Sequence, residues 1–373
     1  MLNQYKNNLW YERLINKINE LGGIYNAHLH LDRAGTLHES YLEHINHNIL
    51  NNSHISLHQK HSMITDIHSG KAYVKDDFHN RVNFYLDQMV AVNTRYADTM
   101  VDVTADGLGM DALNMMKSIQ QSRNDIKLNI AAYSPFGFTD QEPERWDLMV
   151  DGARQSDFIA ALPEADDQNE YPSHIGFEEH CKRTLELAQE LNKPLHVHVD
   201  QRNEPSESGT EQLVQAMKKY GYPKSQSGEP MVWAIHLISP STYDDIRFYK
   251  LLDDMVEVNL GLVTCPSAAI GMRMYRPILT PTYNSIPRIL EMLTRGIHIR
   301  MGSDNIADIC SPSTTANLID EVFVLSASIR FYQPEILAKL AAGVRIDADD
   351  IAFIRDHLHK NDAQIASFMA TNR

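Results

Sequence analysis

Two histidines one residue apart are the first side chains in this sequence that could do chemistry. Residues 24–33 read Ile-Tyr-Asn-Ala-His-Leu-His-Leu-Asp-Arg after a Gly22-Gly23 break, and the alternation of apolar and polar residues has the period of a strand. Residues two apart on a strand share a face, so His28 and His30 project side by side as half of a four-ligand metal site. The spacing alone is weak. Eighteen histidines among 373 residues give about one His-x-His pair by chance, and the chain holds three. The pair His357/His359 sits in Arg-Asp-His-Leu-His-Lys and reads as a solvated helix. The pair His196/His198 sits in Pro-Leu-His-Val-His-Val, residues 194–199, and reads as a short buried strand.

The elements that must position these groups alternate along the chain. A helix with Leu9, Trp10, Leu14, Ile15, Ile18 and Leu21 on one face precedes the first strand. Seven further strands are expected at 99–106, 127–133, 157–162, 194–199, 231–236, 255–260 and 297–302. Helices are expected near 78–96, 110–122, 144–155, 177–191, 210–220, 243–253 and 285–294. Eight strands alternating with helices predict an α/β chain folded as a (β/α)₈ TIM barrel, in preference to a doubly wound sheet. The barrel spans about 22–315. A helical extension covers about 316–373, in segments 318–330, 335–342, 347–358 and 362–369, and the whole of 1–373 is expected to be one domain. Residues 33–80 are rich in Asn, Ser and His; their irregular spacing predicts a solvated loop with short helices covering a site.

Barrel active sites occupy the C-terminal ends of the strands. The polar residues there are His28 and His30 on the first strand, Asp102 and Asp106 on the second, Glu164 after the fourth, His196 and His198 on the fifth, His236 on the sixth and Asp304 after the eighth. Imidazoles and a carboxylate converging on one mouth make a complete ligand set for Zn²⁺ or Fe²⁺. Of the fifth-strand pair, His198 lies nearer the mouth than His196 and is the candidate ligand. Taken singly, each also reads as a hydrogen-bonded core residue or, for Asp304, as a turn or helix cap. Their order along the strands is what favours the metal site.

That order resembles the amidohydrolase superfamily, and within it the cytosine-deaminase-like branch, over about residues 20–330. The matching segments are His28-Leu-His-Leu-Asp32, Val101-Asp-Val103, Leu195-His-Val-His-Val-Asp200, Ala234-Ile-His236, Gly296-Ile-His-Ile-Arg-Met-Gly-Ser-Asp304 and Thr315-Ala-Asn-Leu318. The resemblance implies one divalent ion, zinc or iron, held by His28, His30, His198 and Asp304. It also implies that His236 orients the hydrolytic water and that Asp304 takes that water's proton. Three departures stand out. The branch continues its fifth-strand motif as His-x-Asp-Glu, with the Glu protonating the substrate ring; this chain has Gln201, which cannot carry a proton, leaving Glu204 or Glu164 to substitute. A second Asp often follows the eighth-strand Asp, where this chain has Asn305. The third strand ends in Ser134-Pro135 rather than the Gln with which cytosine deaminases bind substrate, so cytosine itself is not the expected substrate. Candidate substrate contacts are Asp102, Glu164, Arg202 and Asn305; Arg202 reads equally as a loop salt bridge.

The expected activity is metal-dependent hydrolysis of a C–N bond, other than a peptide bond, in a small, nitrogen-rich and cyclic compound, most simply a deamination. The alternatives are cleavage of an amide or N-substituent with Asp304 as sole proton carrier, and a non-catalytic metal-containing binding protein. The net charge of −15 argues against nucleic acid or an anionic membrane as partner, leaving a small molecule, and a homo-oligomer is expected. Cys181, Cys265 and Cys310 are widely spaced, with no Cys-x-x-Cys, which fits a reducing, cytoplasmic setting. The sequence holds no Gly-x-Gly-x-x-Gly, no phosphate-cradling loop and no Gly-x-Ser-x-Gly.

Overall fold

The structure, a computed structural model, describes residues 5, 7–42, 50–51, 55, 57–272 and 284–371. Its centre is one parallel sheet of eight strands in sequence order: β1 (Ile24–Leu29), β2 (Thr94–Asp102), β3 (Lys127–Tyr133), β4 (Phe158–Ala161), β5 (Leu195–Val199), β6 (Val232–His236), β7 (Gly261–Thr264) and β8 (Ile299–Met301). A parallel bridge between Leu29 and Asp304 joins the last strand to the first, so the sheet closes into the (β/α)₈ barrel expected from the alternation. Parallel strands are covered on both faces: β4, β5, β6 and β7 are buried along their full lengths.

Closure depends on two close approaches that only glycine allows. A Cβ on Gly302 would lie 2.7 Å from both the Cβ and the carbonyl oxygen of His28, so β8 can come this near β1 only without a side chain. A Cβ on Gly261 would meet the Trp233 ring at 2.5 Å, and Trp233 is 1% exposed inside the barrel.

Several boundaries differ from the sequence expectation. The seventh strand is not 255–260, because the helix Asp245–Glu257 runs through Met255. Phe248, Leu251, Leu252 and Met255 are its buried face, a helical spacing that prevails over the strand-like alternation at its end. The chain then turns through Asn259 at φ 50° before β7. The second strand begins at Thr94, five residues early, because β1 starts its pairing as Ile24↔Thr94; the preceding helix is accordingly Lys75–Ala91. The two last helices expected are one, Ala348–Thr371, and β8 is only three residues long.

The helix Leu9–Glu20 docks against Pro334–Ala341 of the C-terminal extension. Asn8 caps its start, its side chain accepting from the N–H groups of Trp10 and Tyr11. In the connection after β1, His44, His47 and His54 lie outside the described residues. His68 departs from the solvated reading: it is 7% exposed, at the end of the short helix Ile64–His68. No helix among the described residues is long and apolar enough to cross a membrane.

Candidate metal centre

Alternation on β1 turns both His28 and His30 inward, their ring centroids 5.2 Å apart and nearly perpendicular. His198, at the equivalent level of β5, brings its ring to 4.8 Å from His28 and 5.8 Å from His30. One ligand atom from each of these three histidines falls within 4.8 Å of the others, and the same holds for His28, His236 and Asp304. The nearer Asp304 oxygen lies 3.3 Å from His28 Nε2 and 3.5 Å from His30 Nε2. All five side chains are buried. His236 and Asp304 adopt left-handed φ values of 77° and 59°, the kind of backbone strain that clusters at functional sites.

The hydrogen-bond pattern tests whether these groups fit a metal. Nδ1 of His198 donates to the carbonyl of Ala161 at 3.0 Å, which leaves the Nε2 lone pair facing inward. That Nε2, both nitrogens of His28 and Nδ1 of His236 are buried without a hydrogen-bond partner. Buried polar atoms are almost always satisfied, and a divalent cation would satisfy several of these at once. His30 is different. Its Nδ1 stands 2.6 Å from Arg33 Nη2, and a guanidinium only donates. The hydrogen of neutral His30 therefore sits on Nε2 and must leave, or Arg33 must turn aside, for Nε2 to ligate.

Electrostatics keep His30, His198 and His236 neutral, the form that binds metal. Burial, then Arg33 and His28, push His30 well down; burial, His28 and His236 do the same to His198. His236 is pushed down to about 4, chiefly by burial, with Asp304 opposing. Burial alone would raise Asp304, but His28, whose Nε2 stands 3.3 Å away, and the other nearby histidines hold it below the usual carboxylate range.

The centre opens into a cavity of about 1590 Å³ that Glu164, Gln201, Arg202, Glu204 and Asn305 also line. Gln201 Nε2 donates to Glu164 Oε2 at 2.9 Å, and the backbone N–H of Asp200 donates to Glu164 Oε1 at 2.6 Å. Glu204 accepts from Ser206. Asn305 donates to Asp308. Arg202 pairs with Glu170 at 2.7 Å, with Asp167 and Glu207 further off, which is the loop salt bridge of its two readings. Asp102 is fully buried outside the cavity lining, held by His68 Nε2 at 3.0 Å and by Arg33 at 3.5 Å. It is therefore placed to brace Arg33 rather than to touch a substrate. His196 sits one layer deeper, against Phe158 and Trp233.

Three groups escaped the sequence reading. His68 is clamped between Asp102 and Asp106; its helical spacing from Ile64 was the available signal. Tyr133, the last residue of β3, packs on His30 and His198 at 5.4 and 5.1 Å and lines the cavity. Glu207 lies near Glu164; no local pattern marks either Tyr133 or Glu207.

No family model matches the chain. An uncharacterized protein of Haemophilus influenzae is 27% identical over 272 residues, covering 73% of this chain and 91% of its own. Solved structures with a similar fold include 5-methylcytosine deaminase from Klebsiella pneumoniae liganded with 5-fluorocytosine, with a TM-score of 0.69, 19% identity, and 83% of this chain and 69% of that one covered. N-isopropylammelide isopropylaminohydrolase from Burkholderia multivorans gives 0.65 at 16% identity, over 86% of this chain and 73% of its own. Atrazine chlorohydrolase from Arthrobacter aurescens, complexed with zinc, gives 0.50 at 15% identity, over 86% and 70%. At these identities the likeness shows the fold alone, and that fold agrees with the barrel expected from the sequence.

Proposed function

We propose that this chain is a metal-dependent hydrolase of the amidohydrolase type, attacking a C–N bond in a small nitrogen-rich ring and releasing ammonia or an amine. The observation that carries the reading is the set of buried, unpartnered imidazole nitrogens from β1, β5 and β6 beside Asp304. His28, His30, His198 and Asp304 would hold one zinc or iron ion. When bound, such an ion supplies a water whose pKa falls to about 7. Asp304, deprotonated at neutral pH, takes a proton from the attacking water and passes it to the leaving nitrogen. His236, neutral in this setting, donates to the oxygen on which charge develops. Tyr133 walls the centre and helps exclude solvent. The neighbours named for 5-methylcytosine and N-isopropylammelide support a cyclic amine as substrate.

The test is metal-loaded protein incubated with 5-methylcytosine, N-isopropylammelide and related aminopyrimidines and aminotriazines, with ammonia or amine release measured. Release that is lost on chelation supports the reading; binding without turnover of any member sinks it in favour of a binding protein. Cleavage of amides without ammonia release would favour the second reading, amide hydrolysis with Asp304 as sole proton carrier. That reading draws support from Gln201, whose amide cannot shuttle a proton. The setting we propose is a reducing, cytoplasmic one, consistent with the three free cysteines.

A further inference from the structure

The last helix, Ala348–Thr371, outruns the barrel it rests on. Its first half buries Ile354 and partly buries Ile351 and Leu358 against the core, with Phe353 and His357 packed on the Phe331 ring. From His359 to Thr371 every residue is exposed, a segment about 20 Å long. The apolar stripe does not stop where the barrel does. Ile365 follows Leu358 by two turns, and with Phe368 and Met369 it carries the same face onward. These three side chains are 54, 62 and 46% exposed. Helices in proteins draw most of their stability from packing such a face, so this arm is shaped to be covered.

Reach, charge and area say by what. A receiving surface lies at the root of the arm, where Leu9, Tyr332 and Phe353 are exposed. The Trp10 indole donates to the Tyr332 carbonyl at 2.9 Å, and Phe331 packs on Phe353, which draws the three together. The arm cannot reach this patch in its own chain, because Ile365 lies about 18 Å beyond Phe353 on one continuous helix. A second copy can. Two chains of net charge −15 repel over most of their surfaces, yet residues 359–371 hold only Lys360 and Asp362 as charged side chains, which cancel. Covering one face of a helix about 10 Å wide and 20 Å long hides roughly 400 Å². In a two-fold exchange each chain gives one arm and receives one, which buries about 800 Å² per chain, the size of a stable interface. One arm docked on an unrelated protein buries about half of that.

We propose that the 359–371 arm docks on the patch formed by Leu9, Tyr332 and Phe353 of a second copy of this chain, the two arms exchanged about a two-fold axis. Such a contact is isologous, so it closes at two chains and recruits no third. It lies outside the barrel and is independent of the metal centre, so it holds whether or not the chain is a hydrolase.

Sedimentation equilibrium of the full chain tests this. Wild type should have twice the 42.5 kDa mass of one chain. Ile365→Glu/Met369→Glu puts charge on the arm, and Tyr332→Glu puts it on the patch. Each should raise the dimer Kd about 30-fold or more, the loss expected of a central apolar anchor. Near-ultraviolet circular dichroism should stay native in both variants, since all three positions are exposed. Wild type that is monomeric at about 100 μM overturns the proposal and leaves the arm to a different protein, because interfaces of this area hold at micromolar concentration or below. A dimer of unchanged affinity in either variant overturns the exchange, and masses above the dimer overturn its two-fold closure.

Discussion

The backbone N–H of Asp304 donates to the carbonyl of His28 across 3.0 Å. The hydrogen bond that seals the barrel seam thus also places the late carboxylate beside the first imidazole. Barrel closure and the metal centre share this contact, and a change at the seam should be felt at the site.

Gly302→Ala tests that coupling. Its Cβ would meet His28 backbone and side-chain atoms at 2.7–2.9 Å, and overpacking of this kind costs about 1–3 kcal/mol. Urea denaturation should show the loss, and equilibrium dialysis should show weaker metal binding. A variant with native stability and native metal affinity would refute the coupling.

Metal content gives the second prediction. Wild type should hold close to one zinc or iron per chain by elemental analysis, whereas His198→Ala and Asp304→Asn should each hold far less. Ligand binding stabilises a fold by about 2.7 kcal/mol at a hundred times Kd, so chelation should lower the wild-type Tm. The two variants should not respond to chelator. Full occupancy in either variant would remove that residue from the ligand set.

His68 carries the third. Burial alone would lower its pKa, but hydrogen bonds to Asp102 and Asp106 raise it to about 9, above the unfolded value of about 6.5. A raised folded pKa stabilises fully below the unfolded value and is lost as pH climbs through the folded one. The stability deficit of His68→Gln should therefore be greatest below about pH 6.5 and shrink toward pH 9. A deficit that is flat across this window would contradict a charged His68.

Gln201→Glu gives the fourth. It would set a second carboxyl within hydrogen-bond reach of Glu164, and two such groups resist joint ionisation. Their raised pKa values make the penalty small at acid pH and growing as pH rises. Thermal melts should show a deficit against wild type that widens from about pH 5 to pH 8; a constant gap would argue that the pair is solvated.

Much of this protein is legible in its sequence because the signals are local. The period-2 run at 24–33 turns His28 and His30 to one side, the alternation of strands and helices implies a barrel, and a barrel's function lies at the strand ends. Where helix and strand patterns overlap, as at 255–260, periodicity misled, because burial against Phe248 and Leu251 decides the helix and lies outside that window. Only the folded chain determines which partners meet across distance. Glu164 and Gln201 are 37 positions apart, and Asp102 and His68 are 34. The sequence supplied the residue types and their faces; the closed sheet decided their neighbours, because contacts between strands depend on register and closure rather than on spacing along the chain.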